Sequence, residues 1–125
     1  MTPDQVAKSG TEHSHQVALF AWAALQAKTY PELRLMFAIP NQRHTSVISG
    51  ARFKAEGVKA GLPDIFLPAA RGRAHGLFLE LKRPGGVVAK EQYQWNNSLN
   101  DAGYIAIICY GWEEARDAIL TYLKY

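Results

Sequence analysis

Gly61-Leu62-Pro63-Asp64-Ile65-Phe66-Leu67 and, after the connection Pro68-Ala69-Ala70-Arg71-Gly72-Arg73-Ala74-His75-Gly76, Leu77-Phe78-Leu79-Glu80-Leu81-Lys82 form the stretch from which the fold is read. The two apolar runs have the length and composition of strands, predicted over residues 64–67 and 77–81. Glycines and charges in the connection suit a hairpin loop. Strand side chains alternate faces, so Glu80 and Lys82 share one side and Leu81 takes the other. An antiparallel hairpin turning near Gly72 sets Asp64 almost opposite Glu80, with Cβ atoms roughly 5 Å apart.

The elements on either side follow from periodicity and punctuation. Upstream, a helix is expected to start near Ser9, spaced from Glu12 as a capping box. Its apolar residues Val17, Phe20, Ala21, Ala24 and Leu25 recur at helical spacing until Tyr30-Pro31. Residues 35–39 read as a short buried strand stopped by Pro40. Residues 41–61 are polar and basic, with a short helix expected over 47–56; a long polar segment in a small domain suggests function. Downstream, Gly85-Gly86 makes a turn, and a helix over 90–102 carries Trp95, Leu99 and Ala102 on one face before Gly103. Residues 104–110 form a nearly all-apolar strand of the kind found in a sheet centre. Trp112, Ala115, Ile119 and Tyr122 mark a final amphipathic helix. The order α-β-α-β-β-α-β-α predicts an α/β fold, a mixed β-sheet flanked by helices.

Bulk properties agree. The chain has 125 residues, 48% hydrophobic and 20% charged, which suits one globular domain over 1–125 with residues 1–8 as a loose terminus. Cys109, the single cysteine, lies in an apolar run and cannot form an internal disulfide, so a reducing, cytoplasmic setting is the default. No apolar stretch reaches the roughly 18 residues of a membrane span, and no signal peptide opens the chain. A net charge of +3 and a pI near 9.1 suit a polyanionic partner. There is no glycine-rich phosphate loop before a Lys-Ser/Thr pair, which argues against a metal-dependent phosphatase or nucleotide hydrolase; no small-molecule cofactor is expected.

The chemistry resides in Asp64, Glu80 and Lys82. Mg²⁺ or Mn²⁺ takes hard oxygen ligands, typically one or two carboxylates with water and substrate phosphate. Such an ion polarises a phosphoryl oxygen and acidifies bound water. A neighbouring lysine orients the attacking hydroxide and offsets charge on the phosphorus. The carbonyl of Leu81 is a candidate further ligand. A carboxylate opposite a Glu-x-Lys pair is also a common surface ion-pair pattern. Here both carboxylates adjoin strongly apolar runs, where charge is costly unless compensated, and a metal ion compensates it.

Gly61-Leu62-Pro63-Asp64 and Glu80-Leu81-Lys82, sixteen positions apart from Asp64 to Glu80, together with Gln92 resemble the virus-type replication-repair nuclease (VRR-NUC) domain, a branch of the PD-(D/E)XK nuclease superfamily. The resemblance runs from about Glu12 to the last helix, without departure from the core pattern. It implies a restriction-endonuclease-like fold, metal-binding acids at Asp64 and Glu80, and a catalytic lysine at Lys82. Glu12 matches a helix glutamate able to assist a second metal or its water shell; as part of a capping box with Ser9 it would be structural. Gln92 matches the family's helix glutamine and, lying on the stripe with Trp95 and Leu99, is expected to face a partner inside the protein. The resemblance further implies a homodimer that cuts branched DNA such as four-way (Holliday) junctions, virus-borne in stand-alone members. A nuclease-fold module that binds DNA without cutting it is the alternative. Arg43, His44, Arg52, Lys54 and Lys59, with Arg71 and Arg73 in the hairpin loop, are candidate phosphate contacts. His13 and His15 flank Glu12, but His-x-His without cysteines is a weak zinc pattern.

Overall fold

A computed structural model describes residues 1–40 and 47–125; the candidate DNA contacts Arg43 and His44 lie outside the described residues. The first departure from expectation is at the start of the chain. Residues Pro3–Ala7 form a short helix, α1, closed by a reciprocal cap: the Gln5 amide donates to Thr2 Oγ1 at 3.2 Å, and the Thr2 amide donates to Gln5 Oε1 at 2.8 Å. The terminus expected to be loose carries this helix, with Ala7 buried against the core. Next, α2 (Glu12–Gln26) starts at Thr11, whose hydroxyl accepts from the Ser14 amide at 3.0 Å. The expected Ser9–Glu12 box does not form. Gly10, at φ +76°, turns the chain between α1 and α2, which leaves Ser9 two residues too early and makes Glu12 the first helical residue.

The buried face of α2 also differs. Ser14, Ala18, Leu19, Trp22 and Ala23 point inward, whereas Val17 and Leu25 of the expected stripe are 43% and 70% exposed. Apolar residues occupy almost every side of α2 between Val17 and Leu25, so period alone cannot select the face that packs.

A 3-10 turn over Pro31–Leu35 leads to β1 (Phe37–Ala38), α3 (Val47–Ala55), β2 (Ile65–Leu67), β3 (Leu77–Lys82), α4 (Lys90–Asp101), β4 (Ile105–Tyr110) and α5 (Trp112–Leu123). The sheet runs β1-β2-β3-β4, antiparallel across the first two pairs and parallel across the last, which is the expected mixed sheet. No helix of the described residues is long and apolar enough to cross a membrane.

Two strands sit differently from their sequence reading. β1 is two residues long and exposed, because the turn begun by Pro31 consumes Leu35 and the remainder forms a sheet edge. β4 is the opposite edge, not the centre. It is apolar because helices pack on it from both sides, α4 and α5, and a crossover strand covered on both faces reads as apolar wherever it lies laterally. Its edge is closed by a side chain: Asn100 Oδ1 accepts from the Ala106 amide and Asn100 Nδ2 donates to the Ala106 carbonyl, each at 3.0 Å. Such pairing blunts an edge that would otherwise recruit another strand.

Alternation along β2 and β3 divides the molecule. Ile65, Leu67, Leu77, Leu79 and Leu81 face α2 and α5, where they meet Leu19, Ala115, Ile119 and Tyr122 in the main core. Each such aliphatic side chain contributes roughly 1.5–3 kcal/mol on burial. The α5 stripe is the one the sequence predicts. Tyr122 Oη donates to the Ala69 carbonyl at 2.6 Å, which ties α5 to the hairpin loop. On the other face of β3 lie Phe78, Glu80 and Lys82.

Cys109 is buried in this core, and desolvation, with a smaller contribution from Glu114, pushes its thiol up from 9.0 to about 12. The folded chain holds this proton more tightly than the unfolded chain. Its contribution to stability is therefore complete below pH 9 and lost as pH rises towards about 12. Cys109→Ala should flatten part of the alkaline fall in the urea midpoint. At neutral pH native Cys109 should react with a thiol reagent far more slowly than the denatured chain; equal rates would mean the thiol is open to solvent.

Candidate active site

The β2–β3 register pairs Ile65 with Leu79, so Asp64, one step before β2, lies across from Glu80 as the hairpin reading requires. Backbone bonds clamp Asp64 from both sides: its amide donates to the Leu79 carbonyl at 3.0 Å, and its carbonyl accepts from the Ile39 amide at 2.7 Å. The Asp64 carboxylate is held by a third bond, accepting through Oδ2 from the Leu81 amide at 2.8 Å. Pro63 beside it is fully buried. The backbone thus sets where Asp64 points.

Glu80 and Lys82 are 1% and 3% exposed, an unusual depth for charged residues. Lys82 Nζ stands 3.7 Å from Glu80 Oε1 and 3.8 Å from Glu12 Oε1. Both separations exceed hydrogen-bond range, so the ammonium acts on each carboxylate as a nearby point charge. Glu80 Oε1 accepts a short bond, 2.6 Å, from Gln92 Nε2, while Gln92 Oε1 accepts from the Ala89 amide at 2.8 Å. The Ala89 amide needs an acceptor and the Glu80 carboxylate needs a donor, so these two demands orient the Gln92 amide. Gln92 is therefore at once the cap of α4 and the support of Glu80, which answers the expectation that it faces an internal partner.

The α4 stripe expected from Trp95, Leu99 and Ala102 is displaced. The buried residues of α4 are Gln92 and Asn96, and Ala102 is exposed at its C-terminal end. Trp95 lies at the border and donates through Nε1 to the Ala60 carbonyl at 3.0 Å. The helix faces the polar side of the sheet, so its inward positions are amides. Asn96 is missed by a hydrophobicity reading; its signal is the one-turn spacing from Gln92.

Gly61 explains the first position of the Gly-Leu-Pro-Asp run. Its φ is +84°, and a Cβ there would fall 2.7 Å from Glu91 Cβ and 3.1 Å from the Glu91 carbonyl carbon. Only glycine allows residues 61–64 to pass against the first turn of α4, the turn that carries Gln92.

Asp64, Glu80, Leu81, Lys82, Gln92 and Glu12 are thus gathered at one end of the β2–β3 hairpin. Arg71 and Arg73 are not. Residues 68–76 close the opposite end, where Arg71 is engaged by Glu32 and donates to the Ala70 carbonyl, and where exposed Arg73 follows. Arg71 and Arg73, in the hairpin loop, are therefore separated from the acids by the length of the strands between. Arg52 pairs with Glu56 across one exposed turn at 3.2 Å, and Lys54 and Lys59 are exposed. His15 has a structural task that the sequence reading misses: its Nδ1 accepts from the Trp112 amide at 3.0 Å and caps α5, whose preceding Gly111 offers no side chain.

Among the described residues no three His, Cys, Asp or Glu side chains converge as a ready-made metal cage. The donors at Asp64 and Glu80 are carboxylate oxygens, with the Leu81 carbonyl between their strands. This partial, hard-oxygen set fits Mg²⁺ or Mn²⁺, which retain water and take ligands from a bound phosphate.

Residues 5–113 match the family model of the VRR-NUC domain. A solved structure described as a VRR_NUC domain protein is 31% identical, with a TM-score of 0.79 over 91% of this chain and 88% of that one. No curated protein matches.

Gly61→Ala should destabilise the fold by about 2 kcal/mol, from the left-handed backbone and the contact with α4. The urea midpoint should fall with an unchanged slope. A wild-type midpoint would mean that this segment is free to move away from α4.

Proposed function

This chain belongs to the VRR-NUC domain family, and on that premise we propose that it is a metal-dependent endonuclease hydrolysing DNA phosphodiester bonds. The carrying observation is the depth and mutual placement of Glu80 and Lys82 beside Asp64, on two paired strands. Removing two opposite charges from water costs several kcal/mol per ion, and an ion pair held beyond hydrogen-bond distance is a poor return if stability were its purpose. A site that works on a phosphate group accounts for the arrangement.

Asp64, Glu80 and the Leu81 carbonyl would hold Mg²⁺ or Mn²⁺. When bound, such an ion supplies Lewis-acid polarisation of the phosphate and makes water more acidic. Lys82 orients the attacking water and offsets the negative charge that grows on the phosphorus oxygens. Glu12, at the start of α2, keeps the Lys82 ammonium between two carboxylates and can accept from water in the outer shell. Gln92 holds Glu80 in one rotamer, and the Leu81 amide does the same for Asp64, so neither acid must reorganise when substrate arrives. Branched DNA as substrate, four-way junctions included, and a homodimer rest on the family resemblance. Two sites related by a two-fold axis would cut such a junction symmetrically.

Labelled four-way, flap and linear DNA incubated with Mn²⁺ or Mg²⁺, with and without EDTA, tests the reading. Cleavage should require the metal. Lys82→Ala should lower turnover about 100-fold or more while DNA binding is largely kept, and Asp64→Asn should lose both metal affinity and turnover. Near-wild-type cutting by either variant would defeat these role assignments, and folded wild type that binds DNA but cuts none of these substrates would leave a binding module.

A further inference from the structure

The face of the sheet that carries Glu80 and Lys82 carries something else. Phe37, Phe66 and Phe78 are cross-strand neighbours over β1, β2 and β3, because Phe37 pairs with Phe66 and Phe66 with Phe78. Alternation puts this aromatic row on the same side as Asp64 and Glu80, two residues along, or roughly 7 Å. Phe66 and Phe78 stack with centroids 4.2 Å apart and planes inclined by 19°. Phe37 meets Phe66 edge-on at 5.8 Å, and Tyr104 meets both stacked rings edge-on at 6.0 and 5.2 Å. Helix α4 packs over β4, and among the described residues the β1 side of this face is the more open: Phe37 is 49% exposed, and Phe66, Phe78 and Tyr104 are half-buried.

We propose that Phe37, backed by the Phe66–Phe78 stack and Tyr104, is a stacking site for an unpaired nucleobase of the DNA strand whose backbone enters at Asp64, Glu80 and Lys82. Three observations select this occupant. The row is continuous with the candidate active site, so a strand held there passes directly over it. Its exposed member, Phe37, is a flat ring backed by the Phe66–Phe78 stack and not by the leucine and isoleucine that fill the opposite face, and every base offers a π surface to such a ring. The chain's net charge of +3 suits a polyanion. The inference rests on the nuclease reading for the identity of its ligand, and it narrows the substrate to DNA with unpaired nucleotides beside the cut, as at a junction, flap or single-stranded end.

The test separates base stacking from cleavage by omitting metal. Affinity for a short fluorescent oligothymidylate and for a fully paired duplex of equal length is measured by anisotropy in EDTA. Phe37→Ala should bind the single strand about tenfold more weakly, as loss of one base–aromatic stack does, and bind the duplex within about twofold of wild type. Phe37→Tyr should restore single-strand affinity, and Tyr104→Ala gives an independent second variant; circular dichroism confirms that each is folded. The proposal is overturned if wild type does not bind the single strand, if Phe37→Ala binds it normally, or if both DNAs weaken equally. It is also overturned if Phe37→Ala converts a dimer to a monomer by light scattering with single-strand affinity unchanged, since the row would then be a surface between copies. Wild type that binds the single strand through Phe37 yet cuts no DNA with Mn²⁺ would uphold the stacking site and defeat the nuclease reading.

Discussion

Everything in this molecule depends on the register of β2 against β3. With Ile65 opposite Leu79, five aliphatic side chains point to α2 and α5 while Phe66, Phe78, Asp64, Glu80 and Lys82 share the other face. A slip of one residue on either strand would turn its leucines out of the core and carry its acid to the wrong side. The register is therefore held by the free energy of the main core, which is far larger than any contact within the site. The placement of the acids follows from hydrophobic burial on the reverse face.

What sits on the polar face is costly and is supported locally. Glu80 and Lys82 are almost wholly buried, and each charge needs compensation that leucine in the same position would not. The support comes from separate parts of the chain: Gln92 from α4, Glu12 from α2, and the peptide group of Leu81 from the strand itself. Gly61 lets α4 approach closely enough for Gln92 to reach, and Asn96 continues the polar inward edge of that helix. Charged and amide groups over half of one sheet face, where apolar packing would add stability, are the pattern of a surface kept for chemistry.

Legibility from sequence followed the strength of the local signal. The hairpin, the α5 stripe and the end of α4 at Gly103 were readable because strict alternation, a helical period or a glycine stop defines each without help from neighbours. The faces of α2 and α4 were misread. On α2, apolar residues surround the helix, and on α4 the packed face is polar because its partner is the acidic side of the sheet. The Ser9 cap failed for a related reason: Thr11 offers the same chemistry two residues later, and the turn at Gly10 decides between them. Arg71 and Arg73 are placed in the hairpin loop by the sequence, and a hairpin sets its loop and its open end, where the acids lie, a strand length apart.

The amino-acid sequence by itself determined the order of the main helices and strands from α2 to α5, the hairpin that opposes Asp64 to Glu80, and the acid-acid-lysine set, because alternation and motif spacing are local properties of the chain. Tertiary structure alone decided that β1 and β4 are edges, that His15 caps α5, that Glu12 meets Lys82, and that Gln92 bonds Glu80. Those contacts join residues distant in sequence, and they exist only once burial of the shared core has brought their helices to the sheet.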